Sequence, residues 1–183
     1  MPTLGEARAQ MDRALEALRR EFGTVRTGKA SPALLEMVRV DAYGSLLPLN
    51  QVGTVSVPEP RLLVVQPWDK GLIGAVEKAI RTSDLGLNPS NDGSVIRIPV
   101  PPLTEERRRD MVKILHKLAE EGRISVRQAR QEANKAIKAA QQQHELSDDD
   151  AHRQLDEVQK VTDEYIARID QMLQAKEQEV MEV

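Results

Sequence analysis

The sequence predicts an α+β protein of two domains: a long antiparallel bundle of three helices, with a β/α/β domain inserted after the first helix. Three observations predict this arrangement. Apolar residues recur every three or four positions in three separate stretches, as they do along one face of a helix. Between the first and second stretches the apolar residues alternate instead, as they do in strands. Prolines mark the places where one pattern gives way to the other.

Each predicted bundle helix has one narrow apolar face. The face of the first helix is Leu4, Ala7, Met11, Leu15, Leu18, Phe22 and Val25. The face of the second is Met111, Leu115, Leu118, Gly122, Val126, Ala129, Ala133, Ala136 and Ala140. The face of the third is Ala151, Leu155, Val158, Tyr165, Ile169 and Met172, with Thr162 in one slot. Faces this narrow do not stabilise a lone helix, so the three helices are expected to bury one shared seam.

Capping residues set the ends of the long helices. Thr104 precedes two glutamates, so its hydroxyl can accept an N–H at the start of the second helix. Ser147 precedes three aspartates and predicts a similar start for the third helix. Only residues 144–146 remain as a turn, and so short a connection makes the second and third helices antiparallel. At about 1.5 Å per residue, the second helix is expected to be about 60 Å long.

The inserted domain has the signals of four strands and one helix. Alternation predicts strands through Val38, Val40 and Ala42, through Val55 and Val57, and over 95–100, and the continuous apolar run 62–65 predicts another. Residues 71–81 have a helical pattern, and the turn-rich segment 88–93 separates that helix from the last strand.

Two segments connect the bundle to the inserted domain, and we call them the crossings. Their position predicts a bundle domain of residues 1–30 and 104–183, an inserted domain of residues 31–103, and a hinge within 28–33 and 99–104. The hinge residues that we predict are Gly28, Ala30, Ser31, Pro32, Pro101, Pro102, Leu103 and Thr104.

Composition excludes several kinds of chemistry. The 183 residues include no cysteine, so disulfides and thiolate metal sites are excluded. No nucleotide-binding or hydrolase motif occurs, and the three histidines have no close helical spacing. We therefore expect no catalytic residue, no metal, no cofactor and no enzymatic activity. The start of the chain shows no leader pattern and no apolar stretch reaches the length of a membrane span, so we expect a cytoplasmic protein.

The formal net charge of -3 hides an uneven distribution. Residues 104–144 carry a net charge of +4, whereas residues 145–183 carry -8. Net charge is thus a poor guide to what one face of this protein binds.

A basic stripe follows the apolar face of the second helix. Arg123, Arg127 and Arg130 fall at i, i+4 and i+7, and Lys135 and Lys138 continue the positive charge. Such spacing can bring guanidinium groups to successive phosphates of a nucleic acid. Pairing with glutamates at 120 or 132 on a solvated helix face explains the spacing equally well. Spacing alone leaves both interpretations open.

Four motifs resemble the ribosome recycling factor family. They are residues 26–35 at the first crossing, 79–89 in the inserted domain, 101–109 at the second crossing, and 126–130 followed by 132–134 on the second helix. The resemblance covers nearly the whole chain, in order and at matching length.

The resemblance implies a fold and a function. The fold is L-shaped like a tRNA, with a flexible two-stranded hinge. The function is ribosome recycling: with elongation factor G and its bound GTP, the protein splits the post-termination ribosome into subunits and releases messenger RNA and deacylated tRNA. It is expected to act as a monomer.

The resemblance also implies an RNA-binding set. The family's arginines for large-subunit ribosomal RNA match Arg127 and Arg130, and Arg108 matches a basic cluster after the hinge. With Arg123 from the stripe, these are the predicted RNA-binding residues. Two positions depart from the family pattern, because Lys29 and Gln131 stand where arginine is common. Lysine keeps the charge but loses the bidentate fork.

Two other classes remain as alternatives. A structural or chaperone-like adaptor would use the helical bundle to contact one protein partner, and its binding would be insensitive to salt. An enzyme comes third, since it requires GTP turnover by the chain alone and no residue pattern predicts that.

Overall fold

The computed structural model describes residues 4–182, which divide into two compact units. One unit consists of the chain up to Phe22 together with the chain from Val112 onward, and the other is Gly23–Met111. Residues 1–3 and Val183, which the predicted bundle domain includes, lie outside the described residues.

Four helices and six strands make up the regular structure of the described residues. In chain order they are α1 (Leu4–Thr24), β1 (Arg39–Ala42), β2 (Ser45–Pro48), β3 (Gly53–Glu59), β4 (Leu62–Pro67), α2 (Ile73–Arg81), β5 (Ser90–Asn91), β6 (Ile96–Pro99), α3 (Glu105–Gln142) and α4 (Asp148–Met181). Short 3-10 turns cover Pro32–Leu35, Leu49–Gln51 and Lys70–Leu72. The α+β prediction of three long helices with a strand-rich insertion is confirmed.

The first unit is an antiparallel bundle of α1, α3 and α4. Contacts between α3 and α4 run in opposite directions, since Arg123 contacts Asp170 while Arg130, farther along, contacts Gln159. At one level of the bundle, Gly122 of α3 lies between Leu18 of α1 and Ile169 of α4. A Cβ added at Gly122 would lie 3.2 Å from Leu18 and 3.5 Å from Ile169, so the glycine allows the three helices to approach closely.

The buried seam matches the predicted faces, with a shift in phase on the two long helices. On α3 the buried residues are Leu115, Ala119, Gly122, Val126, Ala129, Ala133, Ile137 and Ala140. Leu118 and Ala136, predicted for the seam, are only half-buried. The steps of three and four that follow from 3.6 residues per turn select Ala119 and Ile137 in place of these neighbours. On α4 the seam adds Val161, Leu173 and Val180, whereas Leu155 and Met172 are half-buried.

The connection between α3 and α4 is as short as predicted. His144 adopts a left-handed conformation at φ 58°, and the Glu145 N–H donates to the Ala140 carbonyl over 2.9 Å. These are features of a Schellman motif, here formed with histidine where glycine is usual. Ser147 then caps α4, since its Oγ accepts from the Asp150 N–H over 3.1 Å. Thr104 caps α3 in the same way, through the Arg107 N–H.

The second unit is built on antiparallel strands. Strands β1 and β2 form a hairpin, and the other four form a sheet in the order β3-β4-β6-β5. One face of this sheet and the buried side of α2 belong to a single core, which includes Leu63, Val65, Val76, Ile80, Ile96 and Ile98. Sequence patterns missed β2, whose Ser-Leu-Leu-Pro sequence does not alternate, and the two-residue β5. The predicted helix at 71–81 is confirmed as the last 3-10 turn followed by α2.

Both crossings lie against the turn between β3 and β4. The Ala30 N–H donates to the Pro60 carbonyl over 2.7 Å, and the Val100 N–H donates to the Arg61 carbonyl over 2.8 Å. Gly28 has φ 78°, a conformation that other residues adopt only with strain. Its Cβ position lies against Leu103, 3.4 Å from the backbone nitrogen. The two crossings therefore run side by side.

None of the helices within residues 4–182 combines the length and the apolar character needed to cross a membrane.

Candidate nucleic-acid interface

The three arginines of the basic stripe lie on the flank of α3, each directly after a buried seam residue. They differ in what neutralises them. Arg123 donates to Asp170 of α4 through Nε over 2.9 Å and through Nη2 over 2.6 Å. Its Nη1 also donates to Glu120 over 3.0 Å. With a side chain only 19% exposed and two carboxylate partners, Arg123 links α3 to α4.

Arg127 has one carboxylate partner. Its Nη1 donates to the second oxygen of Glu120 over 3.1 Å, and its side chain is 43% exposed. Hydrogen bonds from Arg123 and then Arg127 lower the pKa of Glu120, and hydrogen bonding to Asp170 raises the pKa of Arg123. At this exposure the Arg127 ion pair is weak, so the guanidinium can exchange Glu120 for another anion.

Arg130 has a neutral partner. Its Nη1 donates to the amide oxygen of Gln159 on α4 over 3.2 Å. The amide nitrogen of Gln159 in turn donates to Asp163 over 2.8 Å. Among the described residues, no carboxylate pairs with Arg130 within salt-bridge distance. Positive charge along the stripe is thus increasingly free of carboxylates from Arg123 to Arg130.

Arg130 also lines a groove on the surface of α3. The groove has a volume of about 520 Å³, and its lining residues are Arg130, Gln131, Asn134, Lys135, Lys138, Ala139 and Gln142. Three of these side chains are cationic and none is acidic. The arrangement presents a cluster of positive charge of the kind that phosphates bind.

The spacing of the stripe left open whether its arginines pair with glutamates or remain available to phosphates. In the structure, the outcome differs from one arginine to the next. The expected pairing with Glu120 is present at Arg123 and Arg127, and Glu132 accepts instead from Gln128. Sequence reasoning missed Asp170 and Gln159, the partners on α4. The signal available was the short turn at 144–146, since antiparallel helices place residues equally distant from a turn side by side.

The remaining predicted residues lie in the second unit. Arg108 lies in the first turns of α3, half-buried, and its Nε is buried without a hydrogen-bond partner among the described residues. Of its neighbours, Arg109 pairs with Glu105 over 2.6 Å. Of the predicted hinge residues, Gly28 lies against Leu103. Ala30 donates to the Pro60 carbonyl, and Thr104 caps α3. Ser31 caps the turn Pro32–Leu35 through the Ala33 N–H, whereas Pro101 and Pro102 precede α3 in irregular, exposed backbone.

Within residues 4–182, no group of three or more histidines and carboxylates has a suitable arrangement for a metal ion. His116 pairs with Glu177 across α3 and α4. That contact adds to the links between the two helices.

Comparison with known proteins gives a consistent result. The family model described as "Ribosome recycling factor" matches residues 18–181. The ribosome-recycling factor of Carboxydothermus hydrogenoformans is 53% identical over 98% of this chain and 97% of its own. That of Halalkalibacterium halodurans is 54% identical, with the same coverage of both chains.

Two solved structures are similar to this one. The solution structure of a ribosome recycling factor has a TM-score of 0.80, 46% identity, and coverage of 98% of this chain and 96% of that chain. The second describes models of the T. thermophilus ribosome recycling factor and the E. coli elongation factor G bound to the E. coli post-termination complex. Its matching chain has a TM-score of 0.70 and 48% identity, with 98% of this chain and 100% of that chain covered. Together with the family match over most of the chain, these similarities show that the protein belongs to the ribosome recycling factor family.

Proposed function

We propose that this protein recycles ribosomes by docking the flank of α3 that carries Arg127 and Arg130 on large-subunit ribosomal RNA, near the intersubunit bridges. With elongation factor G and the GTP bound to that partner, it splits the post-termination ribosome and releases messenger RNA and deacylated tRNA. A relative has been described with elongation factor G on a post-termination complex, which supports this assignment of partners. The cytoplasm is where such a protein acts.

The observation that carries the proposal is the groove next to Arg130, where three cations face solvent without a carboxylate among the lining residues. The neighbouring helix α4 is acidic, since residues 145–183 carry a net charge of -8. Binding of phosphates therefore concentrates on this flank, and displacement of counterions makes it salt-dependent. Arg123 contributes by linking α3 to α4, and its two carboxylates make it a weaker RNA contact than Arg130.

The second unit suits a protein partner. Met37, Tyr43, Leu46 and Trp68 are each about two-thirds exposed or more, and the Tyr43 hydroxyl donates to Asp69, beside Trp68, over 2.6 Å. Exposed aromatic and aliphatic side chains of this kind favour contact with another protein. We infer that elongation factor G acts on this unit and that the crossings bend, so that movement of the factor displaces the bundle against a bridge.

Ribosome binding by Arg130→Ala tests the RNA surface. Co-sedimentation with ribosomes over a range of salt concentrations is expected to show weaker binding, with a salt dependence reduced by about one phosphate contact. Subunit splitting with elongation factor G and GTP should fall in parallel. Arg19→Ala on α1 is the matched control, because it removes an exposed arginine that is paired with Glu16.

Unchanged binding and splitting by Arg130→Ala would remove the α3 flank from the mechanism. Binding that ignores salt and follows a single protein instead would support the adaptor alternative.

A further inference from the structure

Two side chains of α4, Gln159 and Asp163, restrain Arg130, and neither has a role in the ribosome binding proposed above. Gln159 accepts from the Arg130 guanidinium, and Asp163, one helical turn farther along α4, accepts from the Gln159 amide nitrogen. Both residues lie on the exposed side of α4. The bundle seam therefore does not account for their presence.

The chemistry of the three groups fixes the direction of this chain of hydrogen bonds. A guanidinium only donates, and an ionised carboxylate only accepts. The Gln159 amide must consequently turn its oxygen to Arg130 and its nitrogen to Asp163. Asp163 thus fixes the orientation of the amide, and the amide restrains the guanidinium.

We propose that Gln159 and Asp163 are positioning residues for Arg130, which hold its guanidinium ready for a phosphate of RNA without neutralising its charge. The proposal rests on the proposed function, because the phosphate belongs to ribosomal RNA. The contact is neutral, so an arriving phosphate competes with no carboxylate. Restraining the side chain before binding reduces the entropy lost when the phosphate arrives.

Arg127, on the same helix, has a charged partner instead of a neutral one. Its partner Glu120 is a carboxylate, so an arriving phosphate must displace an ion pair as well as order the side chain. Arg130 has the restraint without this competition. The difference between glutamine and glutamate at position 159 is therefore what the proposal depends on.

A double-mutant cycle tests the role of Gln159. Affinity for purified large ribosomal subunits is measured for the unchanged protein, Gln159→Leu, Arg130→Ala, and the variant with both changes. Gln159→Leu should weaken binding about two- to fivefold, as expected for one exposed hydrogen bond. In the Arg130→Ala background the same change should have no further effect. Asp163→Ala should behave like Gln159→Leu, because it frees the amide to rotate.

Gln159→Glu provides the complementary measurement. The new carboxylate should pair with Arg130, weaken binding about two- to fivefold and reduce the salt dependence by up to one phosphate contact. Gln174→Glu makes the same charge change on an exposed position of α4, also four residues from an aspartate, and is expected to bind normally. Thermal melting of each variant establishes that the bundle stays folded.

The outcomes separate this inference from the proposed function. If Arg130→Ala binds subunits normally, the RNA surface itself is wrong. If Arg130→Ala weakens binding but Gln159→Leu has no effect, or has an equal effect in both backgrounds, Gln159 does not act through Arg130 and the positioning role is refuted. Equal losses for Gln159→Glu and Gln174→Glu would refute it as well.

Discussion

A disulfide between the two crossings tests whether they must move relative to each other. A Cβ at position 28 would lie 3.9 Å from the Cβ of Leu103, and disulfides join Cβ atoms about 3.5–4.5 Å apart. The double variant Gly28→Cys with Leu103→Cys therefore has suitable spacing for a bond without a large backbone shift. Because the chain has no cysteine of its own, no other pairing within it can form.

The effect on stability follows from the length of chain enclosed. Closing a loop of roughly 75 residues removes unfolded-state entropy equivalent to about 4.5 kcal/mol. A side chain at the left-handed position 28, where φ is 78°, costs about 1–2 kcal/mol. That cost is present with and without the bond. The oxidised variant is thus expected to unfold at a markedly higher urea concentration than its reduced form, with a free energy of unfolding up to about 4.5 kcal/mol higher.

The functional assay compares oxidised and reduced forms of the same variant. Oxidation is expected to leave ribosome co-sedimentation largely intact and to block subunit splitting with elongation factor G, and reduction should restore splitting. Gly28→Ser with Leu103→Ser, which cannot form the bond, controls for the strain at position 28. Normal splitting by the oxidised form would show that relative movement of the crossings is unnecessary. Failure of the bond to form or to stabilise would contradict the close approach of Gly28 and Leu103.

Three further predictions concern the stability of the bundle and of the inserted domain. Gly122→Val is expected to destabilise the bundle by about 1–3 kcal/mol in urea unfolding, because Leu18 and Ile169 leave no room for the added methyl groups; stability equal to that of the unchanged protein would contradict the tight packing. Ser147→Ala should cost about 1 kcal/mol by removing the cap of α4, measured in the same way. Hydrogen bonds from Val95, Arg97 and Ser94 hold the pKa of Asp92 far below its usual range. The ionised carboxylate therefore stabilises the folded protein at pH values above the pKa that Asp92 has in the unfolded chain. This stabilisation is lost as the pH falls through the pKa of Asp92 in the folded protein. Asp92→Asn should therefore lower the urea midpoint near neutral pH, by an amount that shrinks below about pH 4; a pH-independent difference would be contrary to this cause.

The sequence was sufficient to predict the helices and helix ends whose pattern is local or repeats along the chain. Every buried residue of α1 belongs to the face that the sequence predicted, because the apolar residues of that face recur with one period. Thr104 and Ser147 located the starts of the long helices through capping, which depends on neighbours three residues away. By contrast, β2 pairs with β1 and β5 pairs with β6, and neither β2 nor β5 has an alternating pattern of its own.

The candidate interface was predictable in position but not in electrostatics. Spacing placed Arg123, Arg127 and Arg130 on one flank of α3. Which of them remains free of carboxylates depends on the side chains that α4 brings alongside, since Asp170 neutralises Arg123 whereas Gln159 leaves the charge of Arg130 in place. Such partners are set by packing between distant parts of the chain. The groove beside Arg130 is likewise a property of the folded surface.

The opposite charges of the two long antiparallel helices give the bundle an electric dipole moment across its width. Residues 112–144 carry a net charge of +4 and residues 145–183 carry -8, and packed helices lie about 8–10 Å apart. This separation is close to the screening length of about 8 Å at physiological salt, so each side of the bundle presents mainly the charge of its own helix. A polyanion therefore exerts a torque on the approaching molecule and repels it when α4 faces forward. If the α3 flank binds RNA as proposed, the acidic helix α4 is expected to favour the orientation of encounter in which α3 faces the RNA, in spite of the net charge of -3.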